Sequence, residues 1–210
     1  MTEAIELRRY QTVSGRDVFG EWLADLKDTR TKAKILARVD RLSLGNFGDC
    51  KSLREGLFEV RIDWGPGYRV YYAMVGKACV LLLCGEDKRK QSADIRRATE
   101  YLKELQGKDA MKRKASISHD EAVVAELRKT PDFAAEYLRA ALEDNDEPSV
   151  LLVALRRVAE ARGGIAKVAK AAGVERESLY RALSVRGNPR LSTLVAVAKA
   201  VGLRLTVEAQ

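Results

Sequence analysis

A single histidine, His119, stands among the 210 residues, with three cysteines, four prolines and two tryptophans. One histidine leaves little for an imidazole-rich metal site. Cys50, Cys79 and Cys84 show no C-x-x-C spacing and have no histidine beside them, which argues against zinc and for simple burial in a reducing compartment. Long apolar runs are also missing. Val80–Cys84 and Val195–Ala198 are far shorter than the roughly 20 residues a membrane-spanning helix needs. The N-terminus carries no hydrophobic signal region, so the sequence reads as that of a cytoplasmic protein. No cofactor or metal is expected.

What the sequence does contain is charge, unevenly placed. The net charge is +8 and the sequence pI is near 9.4. Residues 1–110 hold 21 Lys/Arg and 17 Asp/Glu, residues 115–150 hold 3 and 9, and residues 151–210 hold 11 and 4. An acidic segment thus separates two basic ones, a distribution that permits a nucleic-acid partner and offers a means of shielding a basic surface.

The hydrophobic pattern divides the chain. Ile5–Tyr10 is strand-like. Ser14 is placed to cap a helix bearing Phe19, Trp22, Leu23 and Leu26, and a second helix after Thr29 carries Ile35, Leu36, Val39 and Leu42. The period then changes to two: Leu57–Asp63, Tyr68–Val75 and Ala78–Cys84 read as strands, and Asp94–Leu105 as a helix. A three-residue loop at Gly65-Pro66-Gly67 would set Asp63 opposite Arg69, Ile62 opposite Val70, Arg61 opposite Tyr71 and Val60 opposite Tyr72. It would put Arg61, Arg69, Tyr71 and Asp63 on one open sheet face. Two arginines suit a phosphate, and a tyrosine can stack on a base or exchange a proton. Alternation alone equally allows an ordinary solvated face, with the arginines paired to Glu59 and Asp63.

From residue 115 on the pattern is helical. Four parts are expected: a first domain over 1–105, a linker over 106–114, an acidic helical segment over 115–147 and a DNA-binding domain over 148–210. Ser118 with Glu121 fits a capping box, which would leave His119 as a surface residue at a helix end. Ile165–Ser184 has helix-turn-helix grammar: small Ala169 where helices cross, Gly173 in the turn, and Val168, Val174, Leu179 and Leu183 as core. The second helix would present Arg176, Ser178, Tyr180 and Arg181 to a major groove, with Arg186 and Arg190 for phosphates. Glu175 and Glu177 oppose that role in part.

Two resemblances follow from quoted motifs. Ser178-Leu-Tyr-Arg-Ala-Leu-Ser184 and Gly187-Asn-Pro-Arg-Leu-Ser-Thr-Leu194 resemble the antidote proteins of HigA-like addiction modules. Gly56-Leu-Phe-Glu-Val-Arg61, Gly65-Pro-Gly-Tyr-Arg-Val-Tyr-Tyr72 and Leu82-Leu-Cys-Gly-Glu-Asp-Lys88, with Gln91 and Asp94–Ala98, resemble the HigB-like killer proteins of the RelE/ParE superfamily over about residues 1–105. The resemblance implies an α+β fold, a small curved antiparallel sheet with two N-terminal helices, followed by an all-α antitoxin domain. It implies a metal-independent, ribosome-dependent mRNA endonuclease, inactive in the intact chain, joined to an autorepressor that binds operator DNA as a homodimer. Arg61, Arg69, Lys88 and Tyr71 would be catalytic, and Arg54, Tyr72 and Lys90 would bind RNA. Glu86 stands where relatives often have glycine, and the absence of histidine before position 119 excludes a histidine base in this half. A gyrase inhibitor of the same fold, or a repressor whose first half serves assembly, are the alternatives. Toxin and antidote would meet in cis or in trans.

Overall fold

The computed structural model describes residues 5–77, 79–87, 91–106 and 116–206; Lys88, Lys90 and most of the 106–114 connection lie outside them. The chain divides between Ala122 and Val123 into two compact units.

The first unit is built on a six-stranded sheet. Strand β1 (Glu6–Tyr10) is followed by helices α1 (Val18–Asp25) and α2 (Thr29–Ser43), then by β2 (Cys50–Ser52), β3 (Leu57–Ile62), β4 (Tyr68–Met74) and β5 (Cys79–Asp87). Helix α3 (Gln91–Gln106) and a short strand β6 (Ser116–Ser118) complete it. The strand order is β2-β3-β4-β5-β1-β6. β1 runs parallel to β5 and antiparallel to β6, while β2 to β5 form an antiparallel meander. Strands β2 and β6 are additions to the expected set. Each is three residues long, too short to show alternation.

The helices begin where short acidic side chains can take up free N–H groups. Asp17, rather than Ser14, caps α1, its Oδ1 accepting from Gly20 N at 2.9 Å. Asp28 caps α2 through the amides of Arg30 and Thr31. Successive strand residues point to opposite faces, which sorts two cores. Leu57, Tyr71, Ala73, Leu81 and Leu83 pack with Ala98 and Leu102 of α3. On the other face Val60, Ile62, Val70, Tyr72, Val80 and Leu82 are all buried, as are Phe19, Leu23, Ile35, Val39 and Leu42 of α1 and α2. Gly85 is needed there, because a Cβ at this position would overlap the Trp22 ring.

The β3–β4 register is Ile62↔Tyr68, Arg61↔Arg69, Val60↔Val70 and Glu59↔Tyr71. It differs by two residues from the expected pairing, and the connection is five residues, 63–67. The cause is Trp64. Its Nε1 donates to Thr31 Oγ1 at 3.1 Å, and its ring lies under Arg30 and Lys34, 5.0 and 5.3 Å from the centroid. Held against α2, Trp64 starts a turn closed by Gly67 N→Trp64 O at 3.0 Å instead of extending the ladder. A shift of two keeps every side chain on its face, so Arg61 and Arg69 still share one.

The second unit is helical. Helix α4 (His119–Lys129) crosses the unit boundary, and α5 (Phe133–Leu142), α6 (Val150–Ala161), α7 (Ile165–Ala172), α8 (Arg176–Ala182) and α9 (Leu191–Ala200) follow. Of the acidic stretch, Ser118–Ala122 belongs with the first unit, whereas Tyr137 on α5 accepts a hydrogen bond from buried Arg157 on α6 at 2.6 Å. His119 is at a helix end as expected, but it is fully buried rather than on the surface, because Ser116–Ser118 is a sheet strand and carries it inward. No helix among the described residues is long and apolar enough to cross a membrane.

Candidate functional sites

On the α3 face of the sheet, one carboxylate organises the cations. Glu59 is fully buried. Its Oε1 accepts from Arg61 Nε at 2.9 Å, and its Oε2 lies 3.3 Å from Arg69 Nε. Arg61 also lies 3.8 Å from Asp49 Oδ1. The Glu59 hydrogen bond raises the Arg61 pKa above its ordinary value, so that guanidinium is charged throughout the accessible pH range. Arg69 pairs across the next ladder with Glu86, and Glu86 Oε1 accepts from Arg97 Nη1 of α3 at 2.8 Å.

Tyr71 stands opposite Glu59 in the ladder. Its hydroxyl is buried and makes no hydrogen bond among the described residues. Burial raises its pKa, the carboxylates of Glu59 and Asp94 add to the shift, and Arg69 partly offsets it. The phenol therefore holds its proton across the ordinary pH range and does not act as a base.

Arg61, Arg69 and Tyr71 are thus brought together, as the sequence suggested, though not on an open surface. Helix α3 covers Tyr71, and Arg69 has only 12% of its side chain exposed against 41% for Arg61. Arg54 is exposed on a single 3-10 turn, Arg54–Gly56. Tyr72 goes elsewhere. It lies on the α1/α2 face, buried, 5.3 Å from the Phe58 ring and 6.2 Å from that of Phe47, so no base reaches it in this conformation. Lys88 and Lys90 fall outside the described residues. Arg97 and Asp94 lie in the Asp94–Ala98 motif of the sequence but were given no role in the site there. Their i, i+3 spacing on one helix was the available signal.

The second site is a surface of the helical unit. Helix α7 ends at Gly173, whose φ of 66° is the left-handed conformation expected there, and Val174 N donates to Ala169 O at 3.0 Å. Ala169, Val168, Leu179 and Leu183 are buried, while Val174 is half-buried. With Leu179 turned inward, α8 exposes Arg176, Ser178, Tyr180 and Arg181, and also Glu177; Arg186 and Arg190 are exposed beyond it. Arg156 of α6 covers the Tyr180 ring, 4.8 Å from its centroid, and its Nη2 donates to the Tyr180 hydroxyl at 3.2 Å. Arg176, Arg181, Arg186 and Arg190 all reach solvent, and residues 151–210 carry 11 basic against 4 acidic residues.

One comparison with known proteins addresses this second unit. Residues 120–209 match the family described as probable addiction module antidote protein. Two uncharacterised proteins of Haemophilus influenzae are each similar to about two fifths of the chain. One is 53% identical over 87 residues, which is 41% of this chain and 88% of that protein. The other is 38% identical over 85 residues, 40% of this chain and 86% of that protein.

Proposed function

Since the chain belongs, through residues 120–209, to the family of probable addiction module antidote proteins, we propose that it joins a toxin and its antidote in one polypeptide. The antidote half is a helix-turn-helix protein. Helix α8 enters a major groove, Arg176, Ser178, Tyr180 and Arg181 read bases, and Arg186 and Arg190 hold phosphates. In this reading it represses its own promoter as a homodimer, as HigA-like antidotes do. Leu191 and Val195, exposed on one side of α9, are the apolar surface available to a second copy.

The first half is a HigB-like toxin of the RelE/ParE superfamily that cuts messenger RNA. The observation that carries this reading is the placement of Arg61 and Arg69 opposite each other, with Tyr71 on the same sheet face. The two guanidinium groups hold the scissile phosphate and stabilise charge on its oxygens while the ribose 2′-oxygen bonds to phosphorus and the bond from phosphorus to the 5′-oxygen breaks; the 2′-hydroxyl gives its proton to water, and the departing 5′-oxygen takes one from the Tyr71 hydroxyl once α3 uncovers it. Lys88 would add a third cation. Within the first unit Glu59 lies against both arginines, so a phosphate must displace a carboxylate to bind. The tethered antidote, at roughly millimolar effective concentration, keeps the toxin inactive in cis or in trans.

A gyrase inhibitor of the same fold is the second reading, and a specific feature favours it. Glu59, Glu86 and Asp94 bring as many negative charges as Arg61, Arg69 and Arg97 bring positive ones. Separate expression distinguishes the two. Residues 1–122 alone should arrest growth and deplete messenger RNA, and co-expression of residues 123–210 should restore growth. Arrest with intact messenger RNA and a DNA-damage response supports the gyrase reading, and normal growth at good expression removes both.

A further inference from the structure

Strand β1, which would be an edge of the sheet without β6, is covered by a segment from the far side of the 106–114 connection. β1 pairs with β6 in the register Arg8↔Ser118, Arg9↔Ile117 and Tyr10↔Ser116. Side chains of β1 alternate between faces, and two neighbouring arginines hold the incoming segment from both sides. On one face Arg8 donates from Nε to Ser116 Oγ at 2.7 Å and from Nη2 to Ser116 O at 2.9 Å. On the other, Arg9 donates from Nε to His119 Nδ1 at 3.0 Å. That bond requires Nδ1 to be unprotonated and places the ring proton on Nε2, 3.7 Å from Asp40 Oδ1.

His119 and Asp40 are both fully buried. The imidazole packs beside the Phe19 ring at 6.0 Å, and Arg9 lies over that ring at 5.3 Å. Arg9 is itself oriented by Asp17 Oδ2 at 3.0 Å. Asp17 is the α1 cap, and its carboxylate fits because residue 20 is glycine: a Cβ there would overlap Asp17 Oδ2. The first unit therefore holds a prepared seat, polar at its floor, for one histidine.

We propose that the edge of β1, with the buried position between Arg9, Phe19 and Asp40, is a docking site for an extended segment ending in histidine, and that Ser116-Ile-Ser-His119 is its ligand. The strand supplies main-chain pairing and the histidine supplies specificity, the logic of strand addition to a sheet edge. The family match begins at residue 120, so the docking residues immediately precede the antidote region. The segment holds its place on the sheet without needing the intervening peptide to be continuous. This goes beyond the toxin–antidote reading and stands independently of it.

The test uses the full chain with a protease recognition sequence inserted between residues 107 and 115. After cleavage the wild-type fragments are expected to co-elute at micromolar concentration, with amides of Glu6–Tyr10 exchanging as slowly as in the uncut chain. In the cut chain His119→Ala and Arg8→Ala are each expected to raise fragment dissociation at least about tenfold, since each removes one side of a buried or half-buried hydrogen bond. The uncut variants must keep wild-type tryptophan fluorescence; if His119→Ala does not, Arg8→Ala, at a half-buried site, carries the comparison. Separation of the wild-type fragments, accelerated exchange at Glu6–Tyr10 while they remain together, or equal retention of the variant fragments each overturns the proposal.

Discussion

Arg61 and Arg69 face each other directly across the β3–β4 ladder, and the carboxylate of Glu59 lies against both. Like charges in that position repel, and the buried anion between them is what makes the arrangement stable. Glu59→Gln keeps the shape and removes the charge. It is expected to lower the melting temperature and to raise affinity for single-stranded RNA by about tenfold, read by fluorescence anisotropy at fixed salt. Unchanged RNA binding would mean that these arginines serve the fold and not a phosphate.

Tyr71→Phe separates stability from chemistry. Its buried hydroxyl has no hydrogen bond among the described residues. Deleting it should leave stability unchanged or raise it by up to about 1 kcal/mol, measured by urea unfolding. If the hydroxyl is the proton donor, growth arrest by residues 1–122 should weaken in the same variant. A stability loss of several kcal/mol would show that the hydroxyl has an unrecognised partner.

Gly85→Ala tests the packing of the first unit. The added methyl would meet the Trp22 ring, which lies between α1 and β5 and cannot retreat as a flexible side chain can. A cost of about 1–3 kcal/mol is expected, largely recovered in the double variant with Trp22→Leu. An additive double variant would rule out the clash as the cause.

On α8, exposed and buried positions should behave oppositely. Arg176→Ala and Arg181→Ala are expected to leave the melting temperature nearly unchanged and to reduce operator affinity, each by about five- to 150-fold, the range of a lost base contact. Leu179→Ala removes a fully buried side chain and should cost about 2–5 kcal/mol. Intact DNA binding in both arginine variants would refute the groove assignment.

Much of this was legible in advance, because periodicity and capping are local. Leu57–Ile62 and Tyr68–Met74 fall where alternation places them, and Gly173 takes the conformation its turn demands. The β3–β4 pairing was harder to read, since the hairpin length depends on Trp64 packing against Thr31 of α2, far away in sequence. Parity nevertheless kept Arg61, Arg69 and Tyr71 on one face. Alternation itself sets Tyr72 on the apolar side with Val60, and only the resemblance gave it an RNA-binding role. β6 and the burial of His119 left no local trace, because so short a strand carries no period and Arg9 lies 110 positions earlier.

Burial also predicts an alkaline limit. The Cys84 thiol is pushed up to about 12, first by desolvation and then by Glu86. In the unfolded chain it ionises from about pH 9, so the unfolded state then binds fewer protons and stability falls as pH rises from about 9 toward 12. Cys84→Ala should flatten that decline by at most about 1.4 kcal/mol per pH unit, the limit for one proton. At about pH 8 the wild-type thiol should resist iodoacetamide until the chain unfolds, and rapid modification in the native state would contradict its burial.

The position of β1 inside the sheet also has a consequence for biosynthesis. Glu6–Tyr10 leaves the ribosome well before either of its sheet partners, the parallel strand β5 (Cys79–Asp87) and the still later Ser116–Ser118. At roughly 5–20 residues per second, on the order of ten seconds separate the appearance of Arg9 from that of His119. During that interval one side of the nascent sheet is open to pairing with any passing strand. A chain that stalls before residue 119 would carry that exposed flank permanently, and its fate is aggregation or capture by a chaperone.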